Sequence, residues 1–483
     1  MGPLWQEAPS APGDRRPYWD TPKTIRDTMQ TALLLSALAL IPTQNTPSRG
    51  LNGTQHRVGS TLAEIAGGSH VNFTSPLVQV QEVLEEGIYA MTMDATGTDW
   101  QESFLLGVPS NPLDSAPLLV SFHRYSASER DTYLHTNLFE EAMERGWYVL
   151  APLGAHELNY GVPYAQENIR VVIDWISEIA RIDPQRIYGI GFSMGGGCAL
   201  NFAANHLDPD QAMFAAVVNH TGTVSLRDIW HRATDTSVLE HPLMFNGSPY
   251  QHPFAYQQAS TIELTPWSGV NKQTDLARNL GHIPVQTWCS PSDPLDHLVR
   301  QTRALLRHLM SYGAEVDANE ERGNSHVWET LDEVSALDFL EAQRLELPTE
   351  GTHSLLATHD GRWLHFDIEQ VQGGCFSSLR WHANQDSNIL YLDGFANIER
   401  LRVRTTDLGL STTETLRLIL GTQAGRQAGS EATTRVILDG YDVAPRAVLR
   451  EGRPAQYEWN PERGELTLEE GDAANLPLWV IVQ

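Results

Sequence analysis

The stretch Arg186-Ile-Tyr-Gly-Ile-Gly-Phe-Ser193-Met-Gly-Gly-Gly-Cys-Ala-Leu200 limits the possible folds more than any other part of this chain. Its first half is an apolar and aromatic run that reads as a buried strand. Its second half is a run of small residues that reads as a helix. The join carries Gly191-x-Ser193-x-Gly195. A serine on such a strand-to-helix turn occupies a strained backbone position, so its neighbours must be small enough for strand and helix to close together. The helix that starts at about Met194 would aim its N-terminal amides at the serine, where negative charge on an oxygen could be held. Alone, the pentapeptide is a common accident of glycine-rich sequence; its context and downstream partners give it meaning.

The surrounding pattern is a regular alternation. Glu86–Asp94 and Trp100–Val108 alternate like paired antiparallel strands. Pro117–His123, Trp147–Pro152, Phe214–Asn219 and Ile283–Trp288 are short continuous apolar runs, the texture of strands buried on both faces. Between them, Leu134–Arg145, Ala165–Ile182 and His297–Tyr312 have helical spacing, and Ser335–Leu345 closes the region. Ala314–Glu321 alternates but is polar, as expected of a sheet edge. The expected fold class is therefore α/β, a mostly parallel sheet with helices on both faces. Ligand sites in such sheets lie beyond the carboxyl ends of the strands, where Ser193 falls.

The domain boundaries expected are a leader-like segment and linker over residues 1–60, a catalytic domain over 61–347, and a C-terminal β domain over 350–483. Residues 221–280 form a lid-like insertion rich in aromatics: Trp230, Phe245, Tyr250, Phe254, Tyr256 and Trp267. After Pro348, short alternating runs separated by turn residues predict an all-β, sandwich-like module. Near the start, Ala32–Ile41 is an apolar run too short to span a membrane. With Ala37-x-Ala39 as a weak cleavage site, the segment 29–44 predicts export to the periplasm or exterior.

A net charge of −27 disfavours a phosphate backbone as partner and excludes a nucleic-acid-binding role. The three cysteines, Cys198, Cys289 and Cys375, lie far apart and imply neither a disulfide framework nor a zinc site. Asn52, Asn72, Asn219 and Asn246 begin formal glycosylation sequons.

An activated serine needs a base, an acid to hold the base, and donors for the oxyanion. Past the strand Ile283–Trp288, the proline-bracketed turn Cys289-Ser-Pro-Ser-Asp293-Pro-Leu-Asp296 offers Asp293 as the acid, with Asp296 in reserve. The loop Arg322-Gly-Asn-Ser-His326-Val-Trp328 offers His326 as the base; His220, His282 and His297 are less well placed. Oxyanion donors are expected from the backbone amides of Met194 and Tyr125, with Arg124 as the alternative, and Trp328 beside His326 is a candidate binding residue. This chemistry needs no metal or organic cofactor.

Gly191-Phe-Ser193-Met-Gly195, Asp293 and His326 resemble, in residue type and order, the α/β-hydrolase superfamily, over roughly residues 85–346. Within it, Ser-Phe-His-Arg-Tyr-Ser (121–126) and Gly-Phe-Ser-Met-Gly-Gly-Gly are similar to the polyhydroxyalkanoate-depolymerase/feruloyl-esterase-like and prolyl-oligopeptidase-like branches. Two departures stand out. The superfamily's common His-Gly pair after the third strand is His123-Arg124 here. Only about eighty residues precede the first expected strand, too few for the propeller of prolyl oligopeptidases. The resemblance implies a serine hydrolase of carboxylic esters, a polymeric or polysaccharide-linked ester included. The alternatives are a propeller-less serine peptidase, or a binding protein on a hydrolase scaffold.

Overall fold

The computed structural model describes residues 78–94, 100–265, 269–270, 272–321, 325–421, 434–469 and 478–483. The leader-like segment, Trp267 and Arg322–Asn324 of the His326 loop lie outside the described residues.

The chain enters through an antiparallel meander, β1 (Val78–Glu85), β2 (Ile88–Asp94) and β3 (Gln101–Gly107). The strand expected from Glu86 instead begins after a turn at Gly87, whose φ of 85° is the left-handed conformation that favours glycine. Then come β4 (Ala116–Phe122), two short helices, α1 (Asp131–His135) and α2 (Leu138–Glu144), and β5 (Tyr148–Pro152). The single helix expected over 134–145 is split at Thr136. This residue turns extended, and both its N–H and its Oγ1 donate to the Thr132 carbonyl. Next are α3 (Pro163–Ile179), β6 (Ile182–Phe192), α4 (Met194–Asn205) and β7 (Ala216–His220). The insertion holds α5 (Leu226–Arg232), α6 (Pro253–Gln258) and the small hairpin β8 (Leu264–Thr265) with β9 (Gly269–Val270). The domain finishes with β10 (Val285–Cys289), α7 (Asp296–Ser311), β11 (Val316–Glu320) and α8 (Glu333–Glu341).

The nine strands form one sheet in the order β1-β2-β3-β5-β4-β6-β7-β10-β11. From β5 to β11 the pairing is parallel. An antiparallel edge, the exchange of β4 and β5, and a helix after each inner strand define the α/β-hydrolase fold. Polar β11 is the edge strand, as its sequence predicts.

Period-two alternation apportions the side chains between two cores. Along β4, Leu118 and Val120 join the core under α3 and α4, and Leu119 joins the core under α2 and α8. Along β6, Tyr188, Ile190 and Phe192 face the second core. Cys198 and Cys289 are buried and unpaired, and Cys375 is half-buried and unpaired.

The C-terminal module contains a seven-stranded and a six-stranded sheet among the described residues. Leu379, Trp381 and Ala383 of one sheet share a core with Leu401 and Val403 of the other, and this core runs on into the catalytic domain. At the seam, the Asn279 side chain donates to the Leu356 carbonyl at 2.9 Å and accepts from the Leu356 amide at 2.8 Å. Arg362 of the module pairs with Asp210 of the catalytic domain.

Candidate active site

Ser193 joins the last residue of β6 to the first of α4 at φ 56° and ψ −120°. That conformation is strained for a residue with a Cβ. It is tolerated because strand and helix touch backbone to backbone. A Cβ on Gly191 would come within 2.3 Å of the Gly195 carbonyl oxygen, and one on Gly195 within 2.1 Å of the Phe122 carbonyl oxygen. Ser193 N–H donates to the His220 carbonyl at 2.9 Å, and the Ser193 carbonyl accepts from Thr223 N–H at 3.0 Å. The turn is therefore bonded on both sides.

Strain of this kind gathers around the serine. Ser126 after β4, Ala155 and Tyr160 after β5, Ser193 after β6 and Thr221 after β7 all have left-handed φ. Each lies at the carboxyl end of a neighbouring strand, where loops must turn sharply to meet over one point.

Asp293 lies in the turn after β10, buried, with its N–H bonded to the Ser290 carbonyl. One carboxylate oxygen accepts from Leu295 N–H at 2.7 Å, and the other lies 2.7 Å from His326 Nδ1. Asp293 thus caps its own turn and holds the histidine at the same time. With Nδ1–H donated to Asp293, the lone pair of His326 lies on Nε2. That atom is buried, and it has no hydrogen-bond partner. The ring sits against Phe192, the residue before the serine, with centroids 4.5 Å apart. Among the described residues, neither Ser193 Oγ nor His326 Nε2 carries a hydrogen bond. The reserve acid Asp296 starts α7, with its side chain 82% exposed and 3.9 Å from Arg300.

His220 lies on the far side of Phe192, stacked at 4.5 Å, with Nε2 2.6 Å from Thr330 Oγ1. Burial, helped by the nearby His326, lowers its pKa to about 3, so it stays neutral. It is a packing ring of the site floor and not a base.

Two expectations for the neighbouring loop need correction. The amide of Arg124 is already committed to Asp131 Oδ2 at 3.1 Å, and its guanidinium lies 3.0 Å from Asp131 Oδ1. It is therefore no free oxyanion donor. Trp328 is fully buried and donates its Nε1–H to the same Asp131 oxygen at 3.1 Å, so it is wall and not a binding surface. Asp131, which sequence reading passed over, therefore ties the loop after β4 to the His326 loop. Tyr125 differs from Arg124. Its N–H has no hydrogen-bond partner among the described residues, and its ring packs 5.5 Å from Tyr160. Burial, with the charge of Asp235 from the insertion, pushes its hydroxyl up to about 12. Met194 occupies the first position of α4, whose amide has no partner within the helix.

The described aromatics of the insertion pair largely with one another or with other cores. Phe245 and Tyr256 stack at 4.3 Å inside a separate core with Val162, Ala165 and Leu298. Trp230 and Tyr250 pair with each other, and Phe254 packs on Phe376 of the β module. Asn219 is fully buried in β7, so that sequon cannot receive a glycan as folded.

No family model matches the chain. A protein of Nocardia uniformis subsp. tsuyamanensis named "Putative esterase NocK" is 30% identical over 128 residues. The match covers 24% of this chain and 35% of that protein, so the chain spans about a third of the relative it matches. Among solved structures, a ferulic acid esterase is similar at TM-score 0.38 and 16% identity, over 55% of this chain and 97% of its own. The acetyl xylan esterase from Paenibacillus sp. R4 gives 0.39 and 15%, over 64% and 99%. The dipeptidyl peptidase 4 of Porphyromonas gingivalis gives 0.41 and 15%, over 53% and 35%. The fold assignment rests on the strand order described above.

Proposed function

We propose that this chain, an α/β hydrolase by fold, is a serine hydrolase that cleaves carboxylic esters through Ser193, His326 and Asp293. One observation carries the reading: a buried Asp293 held 2.7 Å from His326 Nδ1, the ring packed on the nucleophile turn and its outer nitrogen unpartnered.

In the first step Ser193 Oγ attacks the ester carbonyl carbon while its proton passes to His326 Nε2. Asp293 keeps the ring's tautomer and stabilises the charge that forms. The carbonyl oxygen becomes an oxyanion held by the amides of Met194 and Tyr125. As the C–O bond breaks, the imidazolium returns the proton to the leaving alkoxide, which departs as alcohol. Water repeats the sequence on the acyl-serine, releasing the acid and restoring the serine.

The choice of ester over peptide rests on chemistry. An alkoxide is a better leaving group than an amide anion, so an ester makes less demand on proton delivery to the leaving group, whereas a peptidase would also need a clamp for the peptide chain. Export, if the segment 29–44 is a leader, would place the enzyme where polymeric or polysaccharide-linked esters are met. Purified protein and Ser193→Ala should be compared on p-nitrophenyl esters from acetate to laurate and on amino-acyl and prolyl p-nitroanilides. Ester turnover that vanishes in Ser193→Ala is the expected result. Dominant anilide cleavage would establish the peptidase instead. Failure of a fluorophosphonate to label Ser193 would refute both.

A further inference from the structure

Glu102 is an acid where the sheet calls for an apolar residue. It shares the inward phase of β3 with Phe104 and Leu106, and all three are fully buried. Among the described residues no cation pairs with it. Its oxygens are filled by donors from one loop and one helix. Gly154 N–H donates to Oε1 at 2.6 Å, Ala155 N–H to Oε2 at 2.7 Å, and Asn168 Nδ2 to Oε2 at 3.0 Å. Gly154 and Ala155 are consecutive left-handed residues, at φ 66° and 67°, and successive amides in such a turn converge on one anion.

The loop that Glu102 grips is the one that braces the oxyanion loop. The Leu153 carbonyl lies 2.8 Å from His123 Nε2, and the other ring nitrogen of His123 lies 2.9 Å from the Arg124 carbonyl. Four residues further along the same loop, the Glu157 carbonyl accepts from Ser126 N–H at 3.0 Å. These two contacts fall on either side of Tyr125. The Tyr160 ring, again from this loop, packs against the Tyr125 ring. Tyr125 is thus held between two attachments and a ring contact, all on a segment whose bend is fixed by one carboxylate.

We infer that Glu102 is a positioning residue for the oxyanion site: by binding the amides of Gly154 and Ala155 it fixes the 153–160 loop, and through Leu153 and Glu157 it sets where the Tyr125 amide points. The inference rests on the proposed ester-hydrolase reading for its catalytic consequence, and on geometry alone for its structural one. Burial raises the Glu102 carboxyl to about 7, against the pull of these same hydrogen bonds, which lower it. A carboxylate kept at such a disadvantage fits a role that an apolar side chain could not fill. A donor misplaced by even an ångström loses much of its hold on the transition state and little of its hold on the ground state.

The test compares full-length wild type with Glu102→Gln, which keeps the shape but has one acceptor oxygen for two amides. Asn168→Ala, which removes a single donor, is the milder second variant should the first fail to fold. Three readouts are taken on protein shown folded by its thermal transition. In Glu102→Gln, kcat on p-nitrophenyl acetate should fall about tenfold with KM within about twofold. Affinity for phenylboronic acid, whose tetrahedral serine adduct fills the oxyanion site, should fall about tenfold as well. Amide hydrogen exchange over residues 123–128 should quicken by a similar factor. Unchanged exchange at 123–128 would overturn the inference whether or not the protein hydrolyses esters. An unchanged kcat and boronate affinity in a folded variant, with wild-type Ser193 labelled by fluorophosphonate, would overturn its catalytic half. A wild type that fluorophosphonate does not label would sink the ester reading, leaving the exchange result to decide the structural half.

Discussion

The catalytic domain holds two histidine–carboxylate pairs closer than 3 Å among its described residues, and they differ in what surrounds them. Asp293 Oδ2 lies 2.7 Å from His326 Nδ1, and Asp275 Oδ2 lies 2.5 Å from His308 Nδ1. Both histidine side chains are 16% exposed and both carboxylates are buried. By distance and burial they are alike. Asp275 sits at the start of the 3₁₀ turn Leu276–Leu280, accepting from Ala277 N–H at 3.2 Å, and it takes a further bond from Tyr312 Oη at 3.2 Å. Its histidine is on α7, where Ser311 bonds the His308 backbone carbonyl. Asp293 holds a ring packed on Phe192, the residue before Ser193, with Nε2 left unpartnered. A histidine and an aspartate make a site only when the outer nitrogen is held free beside something to deprotonate.

The largest effect expected is the separation of the two pairs by activity. Asp293→Asn should lower ester turnover by about ten-thousandfold, as loss of the acid leaves the wrong tautomer, with little change in the unfolding midpoint. Asp275→Asn should leave kcat/KM within about twofold. Steady-state rates on p-nitrophenyl acetate, set beside urea unfolding of the same preparations, check both. Loss of activity in a folded Asp275→Asn would break the comparison.

A second effect, on the order of 3 kcal/mol, concerns the acid that neither pair uses. The folded pKa of Glu102, about 7, lies above the ordinary 4.5 of an unfolded glutamate. Between these values the unfolded chain gives up its proton and the folded one keeps it. Glu102's contribution to stability is thus fully present below about pH 4.5, falls as pH rises, and levels off above about pH 7. A shift of about 2.5 units corresponds to roughly 3 kcal/mol. Glu102→Gln should lack this dependence, so the stability difference between variant and wild type should change in that window and stay flat above it. Urea unfolding from pH 4.5 to 8.5 measures it; parallel curves would show that the carboxyl is ionised throughout.

The same contrasts show what was legible in the sequence. The elbow was readable because its glycines answer a backbone approach that no other residue allows. The turn after β10 offered two acids, and which of them meets His326 shows only in the fold: Asp293 is buried against the ring and Asp296 points outward. The alternation of buried runs and helices told of a parallel sheet, and short alternating runs told of the β module. Asp131 and the roles of Arg124 and Trp328 were not readable. They depend on which side chain turns towards an acid on α1, and no local pattern encodes that. The partners of the insertion's aromatics were not readable for a similar reason: ring content does not say which core the rings join. Glu102 left a signal that was passed over, an acid in phase with Phe104 and Leu106.

A smaller effect separates stability within the Asp275 cluster. Asp275→Ala removes the partner of the half-buried His308 and of Tyr312, and should cost about 2–3 kcal/mol in urea unfolding. Tyr312→Phe removes only the hydroxyl bonded to Asp275 Oδ2 and keeps the ring beneath Arg278. It should cost about 1 kcal/mol, the ordinary net worth of one hydrogen bond. Neither should alter ester turnover. Among the described residues the pair at Asp293 has no matching outer side-chain donor to remove: its second oxygen is taken by the backbone amide of Leu295, and its side-chain partner there is the histidine itself. A double-mutant cycle between Tyr312→Phe and Asp275→Asn should therefore give a coupling of about 1 kcal/mol. The same cycle between Tyr312→Phe and Asp293→Asn should give none. Coupling between the distant pair would mean that the two clusters respond as one unit, and the division drawn here between a structural and a catalytic pair would fail.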